Sequence, residues 1–342
     1  MRHINIPIFI PHLGCPNQCV FCNQKTISGQ ASFSLDDVKN QIEYALSTIV
    51  ESSEVEIAFF GGSFTGIDRE LMISLLEIAY SYVENGKVKS IRCSTRPDYI
   101  SEEVLVVLKK YGVKTIELGL QSVSESVLKL SKRGHNFSDE ERACKLITDY
   151  GFVLVGQMMI GLPGSDLTSE IKTAKFIIKS GAESARIYPT VVFRDTELCT
   201  MTSEGRYTPL EIDDAVKRAS VVLGMFIDAG VNVIRIGLQS NENLTSDETY
   251  VAGPNHVALG ELVIGEYYFN KIVDIAQSNK LAQDSEIEIF VANGALSKAV
   301  GQNKINKTRL NRMFKSVSFN TLDSLVGYDI LVDIKNGEKK CT

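Results

Sequence analysis

Val55-Glu56-Ile57-Ala58-Phe59-Phe60-Gly61-Gly62 is a run of strand formers that stops on two glycines. Behind it, Asp68–Val83 carries Leu71, Leu75, Ile78, Ala79 and Tyr82 at helical spacing. The same strand-then-helix unit repeats in both directions. Upstream, Ile4–Ile10 reads as a strand. Downstream come Ser90–Cys93 as strand, Glu102–Lys110 as helix, Val113–Leu120 as strand and a broken helical stretch over Ser124–Tyr150. Phe152–Ile160 then reads as strand, Leu167–Ser180 as helix, Ala185–Tyr188 as strand, Pro209–Asp228 as helix and Val231–Ile236 as a last strand. Strands alternating with helices at this spacing predict βαβ units and a parallel sheet. Their continuous apolar runs predict burial on both faces. Six such strands before about residue 190 predict an α/β fold of partial (β/α)6 TIM-like barrel type.

Composition agrees with a packed globular chain. Of 342 residues, 44% are hydrophobic and 23% charged, which excludes disordered, collagen-like and coiled-coil classes. No apolar run approaches the roughly 18 residues that span a bilayer. The first residues lack a small-residue cleavage site, so the expected location is cytoplasmic and away from membranes. The loop over 240–254, rich in Asn, Ser, Thr and Gly, predicts a boundary. A barrel with its extension would fill 1–250 and a small α+β unit 251–342.

In parallel α/β folds the working residues sit at the carboxyl ends of strands. The first such end reads Cys15-Pro16-Asn17-Gln18-Cys19-Val20-Phe21-Cys22, a C-x3-C-x2-C spacing. Three thiolates on one short loop suit three corners of a [4Fe–4S] cube with the fourth iron open. A structural zinc takes four ligands, usually in two pairs. No second Cys or His pair follows, although His12 would serve as a fourth ligand. Cys93, Cys144, Cys199 and Cys341 are scattered and read as small buried hydrophobes, which leaves one cluster.

This loop resembles the signature of the radical S-adenosylmethionine (SAM) superfamily, and further motifs follow in order. Phe59–Gly66 resembles its glycine motif after the second strand, Glu117–Ser122 its fourth-strand motif and Met158–Gly164 its fifth-strand motif. Lys132-Arg133-Gly134-His135 and Ile187-Tyr188-Pro189-Thr190 take their expected places. The resemblance covers roughly residues 1–265 and is strongest to the radical SAM half of the Elongator catalytic subunit, without its acetyltransferase domain. It implies an enzyme in which a [4Fe–4S] cluster held by Cys15, Cys19 and Cys22 reductively cleaves SAM. The resulting 5′-deoxyadenosyl radical would abstract hydrogen from substrate. The family further implies a low-potential flavodoxin or ferredoxin as electron donor.

The resemblance also assigns SAM contacts. Gly61, Gly62 and Ser63 would meet the methionyl amino group, and Ser63 stands where many relatives have an acid. Phe21 would border the adenine and Gly161 pass along its edge. Arg133 would meet the carboxylate, and Ser94, Arg96 and Gln121 the ribose or methionyl end. Arg186, Tyr188 and Gln239 would face substrate, while His135 and His256 read as structural. The catalytic residues stay unassigned.

The last segment resembles a KH module: strand Glu286–Ala292, helix Gly294–Val300, turn Gly301-Gln302-Asn303-Lys304, helix Ile305–Phe314 and strand Ser316–Phe319. A KH module clamps single-stranded backbone with a GXXG loop. Here the last glycine is a lysine. Residues 294–315 hold six basic side chains and no acid, so the rest of the chain is more acidic than the overall −6. That footprint predicts an RNA partner; together with the Elongator resemblance it implies a tRNA nucleoside as substrate. The alternative is a small molecule such as a porphyrinogen; enzymes of that kind carry a further cysteine after the loop, where this chain has Asn23-Gln24.

Overall fold

The computed structural model describes residues 2–10, 15, 19–23, 33–50, 53–238 and 249–335. His12, Gln239 and Cys341, weighed above, lie outside the described residues. Seven parallel strands form one curled sheet: β1 Arg2–Ile10, β2 Ser53–Gly61, β3 Ser90–Thr95, β4 Val113–Gln121, β5 Val153–Ile160, β6 Ser184–Pro189 and β8 Asn232–Ile236. The spatial order follows the chain, interrupted only by the short β7, Val192–Phe193, which pairs antiparallel with β9, Tyr250–Ala252. This is the half-barrel expected from the strand–helix alternation, with β8 as a seventh, edge strand.

Helices return the chain between strands. They are α1 Leu35–Thr48, α2 Arg69–Glu84, α3 Glu102–Lys110, α4 Glu125–Leu130, α5 Phe137–Asp149, α6 Leu167–Lys179, α7 Glu197–Ser203 and α8 Ile212–Asp228. Their starts are set by side-chain caps. Asp68 accepts from the Glu70 and Leu71 amides, and Asn136 and Asp166 each close a reciprocal capping box. The broken stretch after β4 is two helices because Lys132 and Gly134 take positive φ, 52° and 75°.

The expectation of strands apolar on both faces needs correction. Ile6, Ile8, Ile57, Phe59, Ile91, Ile116, Leu118 and Ile187 are buried against the helices. The alternate positions, facing the lumen, are polar: Glu56, Arg92, Glu117, Gln157 and Arg186. These lumen side chains are paired with one another across the strands. Apolarity of the sequence therefore under-reports its burial.

After α9, Leu259–Ser278, a second sheet has order β11-β10-β12: Ser316–Thr321 parallel to Glu286–Val291, and Ile330–Ile334 antiparallel to it. Between β10 and β11 run α10, Leu296–Val300, a 3-10 turn over Gln302–Lys304, and α11, Ile305–Leu310. The order matches the strand–helix–turn–helix–strand reading, with a shorter second helix. One apolar core runs from the barrel through α9 into this sheet, with Tyr268 among its largest fully buried side chains. Among the described residues, no helix is long and apolar enough to cross a membrane.

Candidate functional site

The cysteine loop leaves β1 and is pinned at the mouth of the half-barrel by backbone bonds. The Val20 amide donates to the Ser131 carbonyl at 3.2 Å, and the Leu198 amide to the Val20 carbonyl at 2.8 Å. Cys22 turns back on Cys19 through an amide–carbonyl bond of 3.0 Å. Cys19 is 6% exposed, and its Sγ accepts from Arg133 Nη1 at 3.3 Å. Arg96 Nη1 lies 4.0 Å from the same sulfur. Burial pushes the Cys15 thiol up, opposed by Arg96 and by a backbone hydrogen bond from Ser63, while the neighbouring Cys19 adds to the rise.

The supports of these groups come from three strand ends. Arg96 follows β3 and is held by Asp98 through two bonds of 2.9 Å, while its Nη2 donates to the Arg133 carbonyl. Its amide donates to Ser63 Oγ at 3.3 Å, and Ser63 in turn meets Thr95 Oγ1 at 2.7 Å. Arg133 Nη2 donates to the Gly119 carbonyl at 2.5 Å. Gly61 has φ 118°, and a Cβ there would lie 2.2 Å from the Ile10 carbonyl oxygen. This close approach lets β2 end against β1 where the cysteine loop begins.

Three buried polar atoms at this mouth have no hydrogen-bond partner: Ser94 Oγ, Gln121 Oε1 and Arg133 Nε. Gln121 also sits at φ 70°, beyond a register shift in β4, an uncommon conformation for a non-glycine residue. Gly119 leaves a cradle between the Gln121 and Arg133 side chains, where a Cβ would meet Gln121 Nε2 at 3.1 Å and Arg133 Nη2 at 3.5 Å. Unsatisfied buried donors and acceptors carry a desolvation penalty unless a ligand pairs them. Phe21 packs on the other flank with Val127, Met159, Leu162 and Tyr188.

The mouth thus gathers Cys15, Cys19, Ser63, Ser94, Arg96, Gln121 and Arg133, with Phe21, Gly61 and Gly62 on its rim. Gly161 follows β5. Its amide donates to Glu170 Oε1 at 2.9 Å, its carbonyl accepts from Tyr207 at 2.7 Å, and its Cα faces Leu210. Among the described residues, no three His, Cys, Asp or Glu side chains converge tightly enough to hold a metal ion. Cys93 and Cys144 are buried, and Cys199 is half-buried against the Val20 cluster beside the loop.

Two features escaped the sequence reading. One is the lumen chain. Glu117 takes Arg92 Nη1 at 2.9 Å and Gln157 at 2.9 Å, and Arg92 bridges on to Glu56 at 2.6 Å. Polar residues at alternate positions of β2–β6 were the available signal. The other is behind Asp98, where His135 Nδ1 lies 3.8 Å away and His135 Nε2 meets Glu140 at 3.0 Å. Burial and Arg133 push His135 down to about 3, and burial raises the Glu140 carboxyl well above its usual range.

Two family models match the chain: one described as Radical SAM superfamily over residues 9–177, and one as Radical_SAM C-terminal domain over 182–268. The second crosses the boundary expected near residue 250. The chain is 29% identical over 186 residues to a tRNA uridine(34) acetyltransferase of Methanocaldococcus infernus, covering 48% of this chain and 35% of that one. It is 30% identical over 192 residues to Elongator complex protein 3 of Homo sapiens, covering 50% and 35%. The match thus spans about a third of the length of these relatives. The solved structure of the archaeal Methanocaldococcus infernus Elp3 with an N-terminal deletion aligns at TM-score 0.61 and 23% identity, over 82% of this chain and 63% of that one. That likeness is one of fold.

Proposed function

Because the chain belongs to the radical SAM superfamily, we propose that its strand-end mouth holds a [4Fe–4S] cluster on Cys15, Cys19 and Cys22 and binds SAM beside it. The observation that carries this reading is the joint presence of cysteine thiols, two buried guanidiniums and three partnerless polar atoms in one mouth. Three thiolates fit the donor set of such a cluster. Ser94 Oγ, Gln121 Oε1 and Arg133 Nε fit a small polar ligand, as does the cradle at Gly119. When bound, the cluster and SAM supply one-electron cleavage of the sulfonium and a hydrogen-abstracting 5′-deoxyadenosyl radical.

The chain's own residues do the rest. Gly61 brings β2 against β1 so that the loop starts at the mouth. Ser63 fixes Arg96 through its hydroxyl and Cys15 through its amide. Phe21, Met159 and Leu162 form an apolar wall suited to a purine face. The lumen charges are satisfied by one another, so water is not needed to solvate them.

For the substrate, we propose an RNA nucleoside, in tRNA. Support comes from the relatives' printed names and from the basic segment 294–315. Of its six cations, Arg309 and Lys315 are paired with Glu266 and Glu286, while Lys304, Lys307 and Arg312 are exposed. A low-potential flavodoxin or ferredoxin is the proposed electron donor.

Anaerobic reconstitution with iron, sulfide, dithionite and SAM tests the chemistry. The wild type should hold the cluster and release 5′-deoxyadenosine, and Cys22→Ala should do neither. A variant that keeps a full cluster refutes the ligand assignment. tRNA binding that does not weaken with salt refutes the RNA reading.

A further inference from the structure

We infer that Arg133 acts through Cys19: its guanidinium grips the thiolate of the cluster proposed above and sets how readily that cluster takes an electron. The inference rests on the cluster reading and adds to the SAM contact expected of Arg133.

Arg133 is 5% exposed, and its terminal nitrogens each make one contact, Nη1 to Cys19 Sγ at 3.3 Å and Nη2 to the Gly119 carbonyl at 2.5 Å. Each keeps a second N–H and Nε has no partner, so the grip on Cys19 leaves donors for a further ligand. The backbone that carries Arg133 is built for this placement. Lys132 and Gly134 flank it at positive φ, its amide is bonded to the Leu128 carbonyl at 3.0 Å, and its carbonyl is gripped by Arg96. The Ser131 carbonyl, two residues before, receives the Val20 amide. One short turn therefore receives the cysteine loop's backbone and delivers a cation to its sulfur.

The charge balance singles out Arg133 over Arg96. Arg96 approaches the same sulfur less closely, at 4.0 Å, and its charge is offset by the bidentate Asp98. Arg133 has no carboxylate within ion-pair distance among the described residues. A buried, uncompensated cation on a ligand sulfur stabilises whichever state of the cluster is more negative. Hydrogen bonds to the sulfurs and local charge are among the protein's controls on cluster potential. The step affected is the entry of one electron from the external donor, in which no bond forms or breaks and no proton moves. Arg133 is accordingly a positioning residue.

The test compares wild type, Arg133→Gln and Arg133→Lys after anaerobic reconstitution. Iron and sulfide content, the midpoint potential without SAM, and the SAM dissociation constant are measured. Arg133→Gln should load the cluster yet need a more negative potential. At a fixed poise the reduced fraction relative to oxidised should fall about tenfold, which is ~59 mV for one electron. SAM affinity is read separately, because Arg133 Nε also faces the proposed SAM site, and the potential without SAM isolates the effect on the cluster. Arg133→Lys, which keeps the charge, should lie between. The inference fails if both variants keep the wild-type potential, whatever happens to SAM affinity. It fails also if both fold, by circular dichroism, but hold no iron. A wild type that loads no cluster overturns the underlying reading instead, and is told apart by that control.

Discussion

Glu117 and Arg186 meet head-on inside the half-barrel, with Arg186 Nε and Nη2 lying 2.8 and 3.0 Å from the two carboxylate oxygens. Arg92 Nη1 and Gln157 Nε2 take the remaining acceptor sites at 2.9 Å each. Glu117 is 0% exposed and holds two guanidiniums in one knot, Arg92 from the adjacent β3 and Arg186 from β6, across β5. Removing one partner of such a pair strands the others without solvent. Glu117→Ala should destabilise the fold by about 3–5 kcal/mol. Glu117→Gln, which keeps the shape and two hydrogen-bonding groups, should cost less. Urea denaturation of the three proteins checks the order. A Glu117→Ala loss under about 1 kcal/mol would mean the lumen is wet and the knot is of little consequence.

Gly61 makes a sharper prediction because its constraint is backbone against backbone. At φ 118° a side chain is strained, and the Ile10 oxygen, 2.2 Å from the added carbon, cannot rotate away. Strain of this kind costs on the order of 1–3 kcal/mol before the clash is counted. Gly61→Ala should therefore lose at least about 2 kcal/mol. It should also load iron poorly, since Ile10 lies just ahead of the loop that carries Cys15. Thermal melts and iron content measure the two effects separately. Wild-type iron uptake in a destabilised variant would uncouple this turn from the site.

The strands, their parallel order and the cysteine loop were legible because each leaves a local mark. Val55–Phe60 is a run of strand formers closed by Gly61-Gly62, and Cys15, Cys19 and Cys22 lie within one loop. What escaped was set by pairing across strands. Nothing near Arg92 in sequence reveals that Glu56 and Glu117, on its two neighbour strands, both meet it. Arg133 was noticed, but its partner is Cys19, 114 positions away. Helix α1, Leu35–Thr48, lacks Gly or Pro signals sharp enough to stand out in the polar stretch around it. At Gly161 the sequence did not reveal that its amide and carbonyl meet Glu170 and Tyr207, which lie downstream.

The His135–Glu140 pair predicts an unusual pH profile. In the fold His135 is neutral down to about 3, because burial and Arg133 disfavour its cation, and Glu140 is protonated well above its ordinary range. The unfolded chain titrates near 6.5 for His and 4.5 for Glu. Between those two values each state binds one proton, on His135 when unfolded and on Glu140 when folded, so the pair adds no slope. Above 6.5 only the fold keeps a proton for as long as Glu140 stays protonated, and over that range stability falls as pH rises, by up to about 1.4 kcal/mol per unit. Glu140→Gln removes that proton and keeps a donor for His135 Nε2. Its stability relative to wild type should grow from pH 5 to 6.5, where only the unfolded variant binds an extra proton, and go on growing from 6.5 to 8, where only the wild-type fold keeps one. Denaturation curves at pH 5, 6.5 and 8 decide it; parallel profiles for the two proteins contradict the assignment.

The basic tail separates cations that hold the fold from cations available to a partner. Arg309 stacks over the Phe269 ring at 3.4 Å and pairs with Glu266. Its removal should cost about 1–2 kcal/mol of stability through lost packing and pairing, with little direct effect on RNA affinity. Lys304 and Lys307 are exposed and have no ion pair among the described residues. Each phosphate they contact would contribute nearly one unit to the slope of log affinity against log salt. Lys304→Ala with Lys307→Ala should weaken tRNA binding across sequences and flatten that slope by roughly 2, with stability within about 0.5 kcal/mol of wild type. The contrast matters because counting charge alone would rank all three residues equally. If Arg309→Ala lowers tRNA affinity as much as the double variant while leaving the melting temperature unchanged, this face is not where RNA binds.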